Sequence, residues 1–86
     1  MLEGQVAIVT GGTHGLGRAI ASALSSSGAL VMVASRSERE SASTAANLSE
    51  LTGQRSIGLR CDVTVESDVR NLVDAAITAY GRLIQR

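Results

Sequence analysis

Three strand-like runs, the first two continuously apolar, alternate with three stretches in which apolar residues return every three or four positions. That alternation predicts an α/β chain built on a parallel sheet. The runs are Gln5 to Thr10, Leu30 to Ala34 and Ser56 to Cys61. The first two are apolar through their centres, as expected of strands covered on both faces. The first helix is expected from about Leu16 to Ser27, with Leu16, Ala19, Ile20, Ala23 and Leu24 on its apolar face and Gly28 as terminator. The second begins after Ser37 as N-cap, carries Glu38 and Glu40 in its first turn and ends at Gly53. Its stripe of Ala42, Ala45, Leu48 and Leu51 is thin, and the poor helix formers Ser41, Ser43, Thr44 and Asn47 interrupt it. The third is the most regular: Val69, Leu72, Val73, Ala76, Ile77 and Tyr80 share one face, so Tyr80 reads as core, with Thr64 as N-cap and Gly81 as stop.

The first strand runs straight into a glycine-rich turn and then a helix. A pyrophosphate can approach a backbone closely only where side chains are absent and amides point outward. Gly11 allows a tight exit from the strand, Gly15 lets the chain touch the phosphates, and Gly17 lets the next helix pack close to the sheet. The helix N-terminus adds partial positive charge. Glycines in a purely structural turn are the competing reading. Strand, turn, helix and terminator fall in the order that dinucleotide binding requires, which favours the phosphate reading.

Length and charge narrow the function classes. The 86 residues make one unit, 1–86, with no second domain, and such a chain buries roughly 60–65% of the surface its unfolded form exposes. Eight arginines balance eight acidic residues, and there is no lysine. The basic residues are dispersed and Tyr80 is the single aromatic, so no nucleic-acid partner is expected. No membrane partner is expected either, because the apolar runs are strand-sized and Met1-Leu2-Glu3-Gly4 lacks a basic region. A single Cys61 excludes an internal disulfide and reads as a small core hydrophobe. The expected location is cytoplasmic.

Thr10, Gly11, Gly15 and Gly17 meet the pattern T-G-x-x-x-G-x-G, and on these residues the chain resembles the short-chain dehydrogenases/reductases. The resemblance covers essentially the whole chain. It extends to Asp62-Val63 after the third strand, the pair that in this family lies beside the adenine ring. It implies a partial Rossmann-type, doubly wound parallel sheet of three βα units in strand order 3-2-1, ending before strand four. The third helix is then expected on the face opposite the first two. Thr13, His14 and Leu16 join the three glycines as expected cofactor contacts.

Cofactor choice turns on the end of the second strand, where an acidic side chain would hold the ribose 2′-hydroxyl of NAD and repel the 2′-phosphate of NADP. That position holds Ser35, followed by Arg36, a fixed-charge fork suited to phosphate. In the resembling family a basic residue here goes with NADP(H), so NADP(H) is expected over NAD(H). His14 is a candidate second contact, against the reading of an exposed loop histidine. A solvated surface arginine is the alternative to the phosphate role for Arg36, and Glu38 and Glu40 stand close enough in sequence to pair with Arg36 or Arg39. Asp62 is read as an adenine contact, compatible with capping the turn into the third helix, and not as a catalytic base.

The resemblance implies hydride transfer between an alcohol or carbonyl and the nicotinamide, through a Ser, a Tyr and a Lys three residues beyond that Tyr. The chain has no lysine, and Tyr80 is followed by Gly81-Arg82-Leu83-Ile84. No catalytic residue is therefore assigned. The expected chain is an NADP(H)-binding N-terminal portion of such an oxidoreductase, inactive by itself. A non-catalytic nucleotide-binding or interaction module, self-associating through an exposed edge of strand one, is the alternative, and a degenerate fragment is a third reading.

Overall fold

In the computed structural model, residues 3–80 are described, with the side chains of residues 79 and 80 left aside. The elements follow in the expected order: β1 Val6–Thr10, α1 Gly15–Ser26, β2 Leu30–Ser35, α2 Glu38–Thr52, β3 Ser56–Arg60 and α3 Glu66–Tyr80. Boundaries shift by one residue at several ends, within the usual fraying of such assignments. The expected Gly81 stop and the packing of the Tyr80 side chain lie outside what is described.

All pairings are parallel, and β2 sits between its two neighbours. The order β1-β2-β3 is the expected 3-2-1 adjacency read from the other edge. Val9 lies opposite Val33, and Val33 opposite Gly58. Because side chains alternate along a strand, β2 divides its residues between two cores. Val31 and Val33 join Val9, Ala21 and Leu48 on one side, where α1 and α2 pack. Met32 and Ala34 join Cys61, Leu72 and Ala76 on the other, where α3 packs. The sheet is therefore covered on both faces, with α3 opposite α1 and α2, as a doubly wound arrangement requires.

The buried faces of the helices differ from the expected ones. On α1, Leu16 is 77% and Ile20 46% exposed, and Ala19 and Ala23 are exposed as well. Ala21 and Ser25 are buried, with Leu24 half-buried. The reason is proximity: a Cβ on Gly17 would run into the backbone carbonyl of Gly11. The face at Gly17, Ala21 and Ser25 must therefore be made of small residues, whatever their hydropathy. On α2, Ala42 and Leu51 are exposed while Ser41, Thr44, Ala45 and Leu48 are buried. Here the limit is Gly58 of β3, whose missing side chain leaves room for the Ser41 backbone. Two of the buried hydroxyls are paired across elements: Ser41 Oγ lies 2.7 Å from Ser35 Oγ, and Ser25 Oγ lies 2.7 Å from Thr52 Oγ1. On α3, Leu72 and Ala76 form the contact with the sheet while Val69 and Ile77 stay 37% and 40% exposed.

The α2 termini are as expected. Ser37 Oγ accepts the N–H of Glu40 at 3.1 Å, and Gly53 ends the helix with φ 77° while its N–H donates to the Ser49 carbonyl at 2.9 Å. The α3 start corrects the expectation. Thr64 is not the N-cap: its N–H and hydroxyl both donate to Asp62 Oδ1, at 3.0 and 2.6 Å, and the helix begins at Glu66. Asp62 closes an Asx turn that uses Thr64 before the helix can start.

Candidate functional site

The C-terminal ends of the three strands are held in line by two backbone bonds. The Gly11 N–H donates to the Ala34 carbonyl at 2.8 Å, and the Cys61 N–H donates to the Ser35 carbonyl at 2.7 Å. An open cavity of about 460 Å³ lies over these ends. Gly11, Thr13 and His14 line it from the turn after β1, Ser35 and Arg36 from the end of β2, and Val63 from the segment after β3. Ligands of open parallel α/β sheets bind in this crevice beyond the carboxyl ends of the strands.

Of the expected contacts, six line this cavity together. Gly15, Leu16 and Gly17 continue from His14 into the first turn of α1, and Leu16 is largely exposed. Gly11 and Gly15 have φ of 70° and 51°, and nothing lies within 4 Å of where a Gly15 Cβ would stand. The backbone is thus open to a close approach at that point. Gly17 serves a different neighbour than expected: it lets α1 meet the Gly11 carbonyl of the turn itself. Thr13 is buried, so the turn is anchored while Gly11 and Gly15 stay exposed.

The two helix starts beside this cavity are built differently. The start of α2 is capped by Ser37 and carries Glu38 and Glu40 in its first turn. The start of α1 has an extended residue, His14, at the cap position with no side-chain cap bond, and its first turn holds no acid. Its first amides and the positive end of the helix dipole are left for an external anion.

Arg36 is exposed and makes no ion pair among the described residues. The competing pairing with Glu38 or Glu40 does not occur among the described residues. Instead, His14 Nε2–H donates to Glu40 Oε1 at 3.0 Å, a contact between residues 26 apart in sequence. Ser35 lines the cavity but uses its hydroxyl to organise the β2–α2 turn, accepting the Ser37 N–H at 3.2 Å.

Asp62 differs from its neighbours: Cys61 and Val63 line the cavity, and Asp62 does not. Its carboxylate is held by Thr64, whose hydroxyl and then N–H lower its pKa below the usual carboxylate value. The Asp62 N–H donates to Asp68 Oδ2 at 3.1 Å, which also accepts from the Arg60 guanidinium at 3.2 Å, so the strand end is tied to α3. Burial, together with the Asp68 and Asp62 charges, pushes the Cys61 thiol pKa up, which suits a core side chain and not a reactive one.

Two residues of this region escaped sequence reasoning. Gly12 is buried, and a Cβ there would stand 3.1 Å from Val9 and 3.2 Å from Val33 side-chain carbons. Glu40 lines the cavity through its reach to His14. The Ser-x-x-Glu spacing of Ser37 and Glu40 was the available signal for the helix start, though it points to a cap and not to the cavity.

A family model described as short chain dehydrogenase matches residues 5–84. The chain belongs to the short-chain dehydrogenase family. It is 49% identical over 82 residues to the 4-formylbenzenesulfonate dehydrogenase of Comamonas testosteroni, across 95% of this chain and 32% of that protein. A short chain dehydrogenase/reductase of Aspergillus oryzae is 44% identical over 82 residues, across 95% of this chain and 31% of its own length. The crystal structure of a hydroxysteroid dehydrogenase from Escherichia coli superposes with a TM-score of 0.90 at 30% identity, over 95% of this chain and 33% of that one. This short-chain dehydrogenase sequence thus spans about a third of the length of the relatives it matches. The family's members are oxidoreductases that bind nicotinamide dinucleotides. Among the described residues, no helix is long and apolar enough to cross a membrane.

Proposed function

We propose that this chain is the cofactor-binding N-terminal portion of a short-chain dehydrogenase that takes NADP(H) in preference to NAD(H) and acts on an alcohol/carbonyl pair. The observation that carries this reading is the meeting, over one cavity, of an uncapped, acid-free helix start and an arginine that makes no ion pair among the described residues. The residues fit the group. The first turn of α1 takes the pyrophosphate on its amides, with Gly11 and Gly15 leaving the backbone bare. Arg36 takes the 2′-phosphate, and Val63 offers an apolar wall to the adenine, with Asp62 beside it.

When bound, the nicotinamide supplies or accepts the hydride. The work of these residues is to bind and orient: they fix the adenosine and the phosphates, and so the direction in which the remainder of the cofactor extends. No residue here is assigned to proton transfer, and turnover of substrate by this chain alone is not expected. A cytoplasmic location completes the reading, in keeping with a lone, buried thiol at Cys61.

The test is the cofactor ratio. A charge-assisted hydrogen bond from Arg36 of about 1.5–3 kcal/mol corresponds to a roughly 10- to 150-fold preference for NADP⁺. Arg36→Ala is expected to reduce the NADP⁺/NAD⁺ affinity ratio by that factor, measured by calorimetric titration. An unchanged ratio overturns the assignment.

A second reading is favoured by one observation: among the described residues, β1 pairs with β2 alone, which leaves the outer edge of Val6–Thr10 unpaired. An apolar strand with a free edge is a template for another strand. In this reading the chain associates with a second copy through β1, with or without nucleotide. Sedimentation velocity over a range of concentrations separates the two: a β1-paired dimer grows with concentration, and a monomer at every concentration excludes it.

A further inference from the structure

Ser37 and Glu40 form the first and fourth positions of a Ser-x-x-Glu capping box, in which the glutamate ordinarily reaches back to the N–H of the cap residue. Only half of the box is made. Ser37 Oγ accepts the Glu40 N–H at 3.1 Å, but the Ser37 N–H is taken by Ser35 Oγ at 3.2 Å. The Glu40 carboxylate is released from capping and instead crosses to His14 of the glycine turn, at 3.0 Å.

That crossing has a consequence for charge. A second open depression, of about 530 Å³, shares Thr13, His14, Ser37 and Glu40 with the first. It adds Arg18 from α1 and Arg39 from α2, with the hydroxyls of Ser43 and Thr44. The His14–Glu40 contact therefore borders both the strand-end cavity, which holds Arg36, and an adjoining basic depression lined by hydroxyls. Three fixed positive charges, Arg18, Arg36 and Arg39, line the two, and Glu40 is the one carboxylate among their lining residues. No ion pair of these three arginines occurs among the described residues. The His14–Glu40 pair itself is solvent-exposed, with side chains 77% and 53% accessible, and such pairs open at little cost.

We propose that Glu40 is a specificity-determining residue that works against the 2′-phosphate: its carboxylate, held on His14, stands in the basic site as an internal anion and moderates the preference for NADP(H). This rests on the cofactor reading above. Ser35 leaves the strand end without the acid that would select NAD, and Glu40 returns a negative charge to the same cavity from α2. The effect is electrostatic and graded by distance and charge, so it bears more heavily on a ligand that adds the 2′-phosphate than on one that carries the 5′-phosphate alone.

The experiment is calorimetric titration of the whole chain and of Glu40→Gln with 2′,5′-ADP and with 5′-AMP. Glutamine keeps the size and removes the charge, and the Ser37 cap is preserved because it uses the Glu40 backbone. Glu40→Gln is expected to bind 2′,5′-ADP about tenfold more tightly, the scale of one unit charge near a phosphate at a protein surface, with 5′-AMP changed less than about twofold. The gain shrinks as ionic strength rises. Glu40→Ala gives the same gain if charge is the cause. Unchanged or weaker binding of 2′,5′-ADP by both variants, while the parent chain still prefers it to 5′-AMP, overturns this inference and leaves the cofactor reading intact. A parent chain that does not distinguish the two ligands overturns the cofactor reading, and this inference with it.

Discussion

Gly17→Ala sets two physical effects against each other. In an exposed helix position the change gains about 1 kcal/mol, because alanine is the better helix former by that amount. At residue 17 the new methyl meets the Gly11 carbonyl, and it would also stand 2.9 Å from the Gly11 carbonyl carbon and 3.2 Å from the Gly12 Cα. These are backbone atoms and cannot swing aside as a side chain would. Gly11 is moreover fixed by its N–H bond to Ala34 at 2.8 Å. Moving α1 away would open the face at Ala21 and Ser25, both fully buried. Overpacking costs about 1–3 kcal/mol, and against immobile backbone atoms the upper part of that range, about 2–3 kcal/mol, applies, so the net expectation is a loss of roughly 1–2 kcal/mol. For a chain of this size that lowers Tm by about 4–16 °C. The assay is thermal and urea unfolding followed by circular dichroism, with Gly17→Ala and the parent side by side. A variant as stable as the parent, or more stable, refutes the close approach on which the geometry of the glycine turn depends.

The α2 face supplies the next prediction: Leu48→Ala, at a side chain 1% exposed, is expected to cost about 2–5 kcal/mol by urea unfolding, whereas Leu51→Ala, at 74% exposure, stays within about 0.5 kcal/mol. Equal costs would mean that the helix is rotated towards its more hydrophobic stripe. Thr64→Val removes the hydroxyl that most depresses the Asp62 pKa and leaves the Thr64 N–H, so the carboxyl is expected to titrate closer to the ordinary value in a carbon-detected NMR titration. Because that pKa is lowered on folding, ionised Asp62 contributes stability above the ordinary carboxylate range and loses it as pH falls through the folded value. The parent's advantage over Thr64→Val is therefore present at pH 7 and fades in acid; a difference that is the same at both ends contradicts the assignment.

The order of elements, the parallel sheet and the glycine turn were legible because each rests on local pattern: apolar runs for β1 and β2, positive φ at Gly11 and Gly15, and a serine cap with a glycine stop on α2. The buried faces of α1 and α2 were not, because close packing selects for volume. Ala21, Ser25, Ser41 and Thr44 lie inward although Leu16, Ile20 and Leu51 are more hydrophobic. Hydropathy along the chain cannot register a carbonyl or a glycine arriving from another element. The start of α3 was misplaced for a related reason, since two turn formers, Asp62 and Thr64, compete for the same role and Asp62 takes it. Gly11, Thr13, His14, Ser35, Arg36 and Val63, expected from sequence as cofactor contacts, line one cavity together. The His14–Glu40 contact was out of reach, because it exists only once β2 has placed the start of α2 beside the turn after β1.

The central claim is that the turn after β1 and the end of β2 form one site for a 2′-phosphorylated dinucleotide. A two-dimensional amide NMR titration of the isotopically labelled chain, first with NADP⁺ and then with NAD⁺, tests it most directly. The expected result is a dispersed spectrum in which the amides of residues 11–17 and of Arg36 shift, and shift at lower concentrations of NADP⁺ than of NAD⁺. A dispersed spectrum in which those amides respond to neither cofactor, or respond to both alike, contradicts it.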